Sequence, residues 1–414
     1  MNLADMLSYT DIGQLSRIAT AYRCECNGNS KNDLIQSILS TITRRDVFES
    51  QVGAMGLEDL RFMNSLLFDP RDSFSLEELL ARVQQSKFSS PEQASSSQSA
   101  DNGQMTNAAA APVVKRNAKR AKTAKEHAMP ESGPRATISR FKQYGWLFNG
   151  YAGSDRYLFQ IPKDLKDRFK ETLERKLAAQ VAIIRDEPDA YRDEQGLLGE
   201  DVAELLTYVH HNEIQLTAEG IMYKRNVQQL LERLGVQEQL PGRGEWRFGY
   251  GRHINEYPNR MSLLYDYCFY NGWLSESGAM LTLTAAGMER QAVRVAEAPD
   301  KLYRFWLRLY KGAMPNIRAI THWVGRLSQH WVSSDTLKGA LLPYIKPFYY
   351  DQPETIFDQR LIAMMMHLGL LRIGEHAEQG GVIRMTPLGR SIVAGFNIDD
   401  DAIVLHTPIS EYEN

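Results

Sequence analysis

Six cations packed into thirteen residues are the part of this sequence best suited to a physical task. Lys115, Arg116, Lys119, Arg120, Lys122 and Lys125 stand beside a single acid, Glu126. A run of this kind can neutralise a string of phosphates. Each contact releases a condensed counterion, so the affinity is independent of base sequence and falls with salt. A solvating spacer is the plainer reading of the same composition, and the one-sidedness of the charge favours the electrostatic arm.

A second set lies on one helical stretch, Tyr223–Leu234. Val227, Leu230, Leu231 and Leu234 share one face there, while Lys224, Arg225, Gln228 and Gln229 fall largely on the other. Amides and cations so spaced suit phosphate and base-edge contacts, and they equally describe the wet side of an amphipathic helix. Lys31 is a third candidate. It follows Ser30, placed to cap the helix that carries Leu34, Ile35, Ile38, Leu39 and Ile42, with Asp33 three residues on.

Catalytic constellations are missing from the pattern. Phosphoryl transfer needs a glycine-rich cradle ending in Gly-Lys-Ser/Thr, whereas Lys122-Thr123 has no such loop before it. Asp186-Glu187-Pro188-Asp189 resembles an acidic box and reads instead as a helix-terminating turn. His210 and His211 are adjacent, so on a helix they point about 100° apart and do not make a metal site. Cys24, Cys26 and Cys268 are too few for a disulfide framework and lack zinc-ligand spacing. A protein without enzymatic activity, metal or cofactor is therefore expected.

The elements that must position the cations are separable along the chain. Its 414 residues suit two to four domains, and the net charge of −3 hides a local excess of +6 over residues 84–144. Residues 86–135 are rich in Ser, Ala, Gln and Asn with almost no large apolar side chains, which predicts a flexible linker. It is expected to separate a small helical unit, residues 1–85, from the remainder. In that unit Leu15, Ile18, Ala19 and Tyr22 recur at helical spacing, CECNGNS breaks the pattern, and a second helical stretch, Leu57–Val83, is interrupted at Asp69-Pro70.

Beyond the linker the sequence echoes itself from Tyr144, Asn271 and Leu368. Each copy closes a helix at a glycine (Gly145, Gly272, Gly369) and continues with Trp146-Leu147, Trp273-Leu274 or Leu370-Leu371. A polar hairpin follows, and a helix restarts at Pro162, Thr284 or Thr386. This predicts three winged-helix units at 136–200, 201–298 and 299–414. The fold class expected is mainly α with small β-hairpins, α+β, as tandem winged-helix domains preceded by a small helical domain. Tyr303, Phe305, Trp306, Tyr310, Trp323, Trp331, Phe348, Tyr349 and Tyr350 are expected in the core.

The helix, extended turn and helix around Lys31 resemble SAP-like modules, many of which bind DNA. Leu205-Leu206, Ile214–Thr217, Gly220, Lys224-Arg225, Leu263-Leu264, Gly272–Leu274 and Leu281–Thr284 together resemble the domain family at the N-terminus of XPB-type DNA repair helicases, over roughly residues 140–395. That resemblance implies a DNA-associated role in repair or transcription for a chain that lacks the motor. The alternative it leaves open is an adaptor that docks a separately encoded helicase or nuclease. No run of 18 apolar residues and no signal-peptide pattern is present, so a cytoplasmic protein with no membrane association is expected.

Overall fold

Four short helices open the chain, each burying one apolar stripe: α1 (Leu3–Tyr9), α2 (Ile12–Ala21), α3 (Lys31–Ile42) and α4 (Arg45–Gly53). Asp11 caps α2 by accepting the Gln14 amide at 2.9 Å, and Ser30 caps α3 through the Asp33 amide at 3.3 Å, as the spacing predicts. Leu15, Ile18, Leu34, Ile38 and Ile42 are all buried. The computed structural model describes residues 1–25, 30–88, 133–150, 153–241, 251–252, 256–349 and 351–395, with only the backbone of 154 and 155.

The chain then runs through α5 (Leu57–Leu67), β1 (Ser73–Phe74), α6 (Leu76–Ser86), α7 (Pro134–Gln143), β2 (Phe148–Asn149), β3 (Phe159–Gln160) and α8 (Lys163–Ala178). Strand β1 pairs antiparallel with β3, with Ser73 opposite Gln160 and Phe74 opposite Phe159. Residues on both sides of the 86–135 segment therefore share one small sheet. They share a core as well: the Trp146 indole donates to the Tyr22 hydroxyl at 3.1 Å, which donates to the Tyr144 carbonyl at 3.0 Å. The expected separation at residues 86–135 is corrected accordingly. Met1–Met63 and Arg71–Phe169 form one compact unit, and the segment is an insertion within it. Composition signals a lack of core-forming residues, but it is silent on whether the flanks rejoin.

The second compact unit comprises Asn64–Pro70 and the chain from Lys170 onward. It contains β4 (Ala190–Asp193), α9 (Leu197–His211), β5 (Ile214–Gln215), α10 (Lys224–Leu231), α11 (Asn259–Tyr270), β6 (Leu274–Ser277), β7 (Met280–Leu283) and α12 (Ala285–Val293). Next come α13 (Pro299–Tyr310), α14 (Ile317–Leu327), β8 (Val332–Ser333) and α15 (Ser334–Leu341). Pro353–Thr355, the π-helical Ile356–Ile362 and Ala363–His367 run on as one helix, here α16. The last elements are β9 (Leu371–His376), β10 (Gly380–Met385) and α17 (Pro387–Ala394). The described residues are thus mainly helical with small antiparallel sheets.

One order of elements recurs three times: helix, strand, helix, helix, two-stranded hairpin, helix. The copies are α5-β1-α6-α7-β2-β3-α8, α9-β5-α10-α11-β6-β7-α12 and α14-β8-α15-α16-β9-β10-α17. In each, the lone first strand pairs with the second strand of the hairpin, giving orders β1-β3-β2, β5-β7-β6 and β8-β10-β9. Strand β4 extends the third sheet by pairing with β9.

The helix before each hairpin ends on a left-handed glycine, at φ 64° for Gly145, 70° for Gly272 and 72° for Gly369, a conformation that costs other residues roughly 1–2 kcal/mol. The second and third copies share a tighter device. Thr284 and Thr386 cap the following helices, accepting from the Gly287 and Gly389 amides at 3.0 and 2.9 Å. Their hydroxyls donate back to the carbonyls of Gly272 and Gly369 at 2.6 and 2.9 Å. A Cβ at Gly287 or Gly389 would meet the Trp273 or Leu370 carbonyl oxygen at 2.1 or 2.3 Å. The helix start is thereby bolted to the helix end that precedes the hairpin.

Two local expectations are corrected. Asp186–Asp189 is not a helix end, since α8 stops at Ala178. It is the loop entering β4, where Glu187 accepts the Trp331 indole at 2.7 Å and Asp189 accepts the Ala377 amide at 2.9 Å. Tyr303, Phe305, Trp306, Tyr310, Trp323 and Trp331 are buried as expected, but Tyr349 is 75% exposed and Phe348 only half-buried. Both lie in the turn before α16, where Phe348 and Asp351 pair in an isolated bridge. Tyr350 lies outside the described residues.

Candidate nucleic-acid interface

Lys115, Arg116, Lys119, Arg120, Lys122 and Lys125 lie outside the described residues. Lys31 is exposed at the first turn of α3, where its ammonium donates to the Ser8 carbonyl at 2.7 Å. Lys224, Arg225, Gln228 and Gln229 are brought together on the exposed side of α10, opposite buried Val227, Leu230 and Leu231. Gln229 is already engaged, accepting the Tyr208 hydroxyl at 3.1 Å. Glu232 is exposed just past the helix, and Arg233 pairs with Glu204 at 3.4 Å. The α10 face is therefore mixed in charge.

Within the repeats, the helix that precedes the hairpin meets three different fates. In α11 every residue from Arg260 to Cys268 is buried. In α16 only Asp358 and Gln359 are well exposed. These two helices pack on each other and are stitched by buried ions: Arg260 contacts Asp201 and lies 3.6 Å from Glu194, which accepts a hydrogen bond from His367 Nδ1 at 2.8 Å. Arg360 adds bonds to Asp351 at 3.2 Å and to Asn259 at 3.1 Å. Charges withdrawn from water in this way stay only because each faces an opposite partner.

Helix α7 is different. Thr137, Ile138 and Phe141 turn inward, while Arg135, Ser139, Arg140 and Gln143 are exposed. Residues 133–150 contain Arg135, Arg140 and Lys142 and no acid. Arg140 pairs with Asp59 at 2.5 Å on one flank. On the other flank Lys142 donates to the Asn149 side chain at 2.7 Å, and Asn149 in turn donates to the Arg156 carbonyl in the hairpin. Gln14 of α2 donates to the Lys142 carbonyl at 2.9 Å, which brings the turn carrying exposed Arg17 alongside. Burial and the neighbouring Arg17 cation hold the Lys142 ammonium below its ordinary pKa, against the opposing pull of Asp11. Sequence reasoning missed this face. The signal was there as the continuation of the basic excess beyond the linker into an acid-free helix.

An open cleft of about 270 Å³ lies beside α7, lined by Glu58, Asp59, Arg61, Phe88 and Arg140 among others. Its cations are committed: Arg61 stacks on the Phe88 ring at 3.5 Å and bonds the Phe88 carbonyl at 2.6 Å, and Arg140 holds Asp59. No nucleophile and base converge there. Among the described residues no group of three or more His, Cys, Asp and Glu is arranged to hold a metal ion, and no helix is long and apolar enough to cross a membrane. No known family model, curated protein or solved structure matches the chain.

Proposed function

We propose that this chain is a non-enzymatic, DNA-associated protein of repair or transcription, built from three winged-helix units and an N-terminal SAP-like helical pair. The observation that carries the reading is the threefold order of helix, strand, helix, helix and hairpin, with the first strand always against the hairpin's second strand. In the first copy that arrangement presents the exposed side of α7 beside its hairpin, the combination suited to a groove and its flanking phosphates. The basic run Lys115–Lys125 and the α7 helix that follows it supply the general affinity for polyanions.

Fluorescence anisotropy of the full chain with labelled duplex tests this reading. Binding should weaken steeply between 50 and 200 mM salt, by about tenfold or more for each few phosphate contacts. Replacing the six linker cations with Gln should flatten the dependence. Absence of binding at low salt rejects the role.

A second reading, an adaptor for a separately encoded helicase or nuclease, draws support from the second compact unit. Its two helices before hairpins are buried, which leaves that unit without a free reading helix. Recovery of such a motor or nuclease with the tagged chain would favour it.

A further inference from the structure

We infer that duplex DNA lies, by its phosphate backbone, against a single cationic face of the first compact unit: helix α7, the adjoining turn of α2 and the β2–β3 hairpin. The inference rests on the nucleic-acid reading above and deepens it by naming the site and excluding the α10 face. Arg17, Arg135, Lys142 and Arg156 supply the charge, and Ser139 and Gln143 stand between them as small and amide donors.

Three features of the face select a polyanion. First, its cations are not consumed by acids. Lys142 is met by the neutral amide of Asn149, and Arg17 bonds a backbone carbonyl, that of Gly13, at 3.3 Å. Among the described residues the acids nearby are Asp11, which caps α2 through the Gln14 amide and acts on Lys142 less than Arg17 does, and Asp59, paired with Arg140 on the far flank.

Second, the fold forces like charges together. The Gln14 bond to the Lys142 carbonyl sets the α2 turn bearing Arg17 beside Lys142, and the Lys142–Asn149–Arg156 chain fixes the hairpin to the helix. Cations held close by other bonds gain most from an incoming phosphate. Third, the equivalents in the other two repeats are closed off. α11 is buried along its length and α16 exposes Asp358 and Gln359. The α10 face, which the sequence pattern favours, mixes Lys224 and Arg225 with Glu232 and has one of its amides bound to Tyr208.

A sugar-phosphate backbone is the occupant that matches. Its negative charges repeat at short intervals along a rigid line, and contacts to it need no base-specific partner. Phosphate contacts from several side chains of one helix and one hairpin also fix the register of the duplex on the protein.

The test uses the full chain and a fluorescein-labelled 24-base-pair duplex, read by anisotropy across a salt series. R17Q/R135Q/K142Q/R156Q should weaken binding at least about tenfold at 100 mM salt and lower the log–log salt slope by roughly three to four. S139E/Q143E adds two negative charges at exposed positions without touching a structural contact, and should give a loss of similar size. K224Q/R225Q should stay within about twofold of the parent protein, because its charge is not on the path.

Retained affinity in S139E/Q143E, or a larger loss in K224Q/R225Q, overturns the site while leaving the nucleic-acid reading intact. Equal binding of polyglutamate, with the same sensitivity to S139E/Q143E, overturns DNA as the occupant. Failure of the unsubstituted chain to bind duplex at 50 mM salt rejects the functional reading itself.

Discussion

Substituting Gly389 by alanine should be among the most damaging small changes in the second compact unit. The magnitude follows from one short approach. An added Cβ would sit 2.3 Å from the Leu370 carbonyl oxygen and 2.9 Å from the Leu370 Cα. Non-bonded carbon contacts relax near 3.5 Å, so α17 must retreat by about 1 Å. That retreat strains the Thr386 amide to Leu370 carbonyl bond at 2.9 Å, the Thr386 hydroxyl to Gly369 bond at 2.9 Å and the Gly389 amide to Thr386 cap at 2.9 Å. Losing part of that set at about 1 kcal/mol each, together with overpacking of about 1–3 kcal/mol, gives a loss of roughly 3 kcal/mol.

The internal control is Gly339, in the last turn of α15, where an added Cβ meets nothing within 4 Å. There the same change should stabilise by about 0.5–1 kcal/mol, because alanine has less chain entropy to lose in a helix. Urea unfolding followed by tryptophan fluorescence reads both. With a slope of about 3 kcal/mol/M, G389A should lower the midpoint by about 1 M and G339A should raise it slightly. A G389A midpoint equal to the parent's would refute the argument that the helix start is bolted to the helix end.

Three further outcomes follow from buried groups. R260M should cost about 3–5 kcal/mol in urea unfolding, because it leaves Asp201 and Glu194, both almost wholly buried, without their shared cation; a cost below about 1 kcal/mol would contradict that. His322, packed against Phe68 and Trp323, has its pKa pushed down to about 4 by burial first and then by Lys170 and Arg326. The unfolded chain therefore takes up this proton first, and stability should fall as pH drops from about 6.5 to 4, a slope that H322F should flatten. Burial pushes the Cys268 thiol up, out of its reactive range, so iodoacetamide should label Cys24 in the native protein and reach Cys268 only on unfolding.

The local rules were legible because they act over a few residues. Gly145, Gly272 and Gly369 adopt the left-handed conformation their positions imply, and Ser30, Thr284 and Thr386 cap the helices that follow them. The amphipathic split of α10 follows from its spacing alone. What escaped notice were two-residue strands such as β1 and β8, too short to carry a period, and the Thr-x-x-Gly spacing shared by Thr284–Gly287 and Thr386–Gly389.

The chain's own order of residues determined where helices end, which faces turn inward, and that a positive excess sits in the second fifth of the molecule. Only the assembled structure decided that residues before and after 86–135 rejoin through β1 and β3, since strand pairing depends on partners far apart in sequence. It also decided which cations remain available to a ligand. Exposure is set by what packs against a helix: buried neighbours close over α11 and α16, whereas α7 keeps its basic side in water.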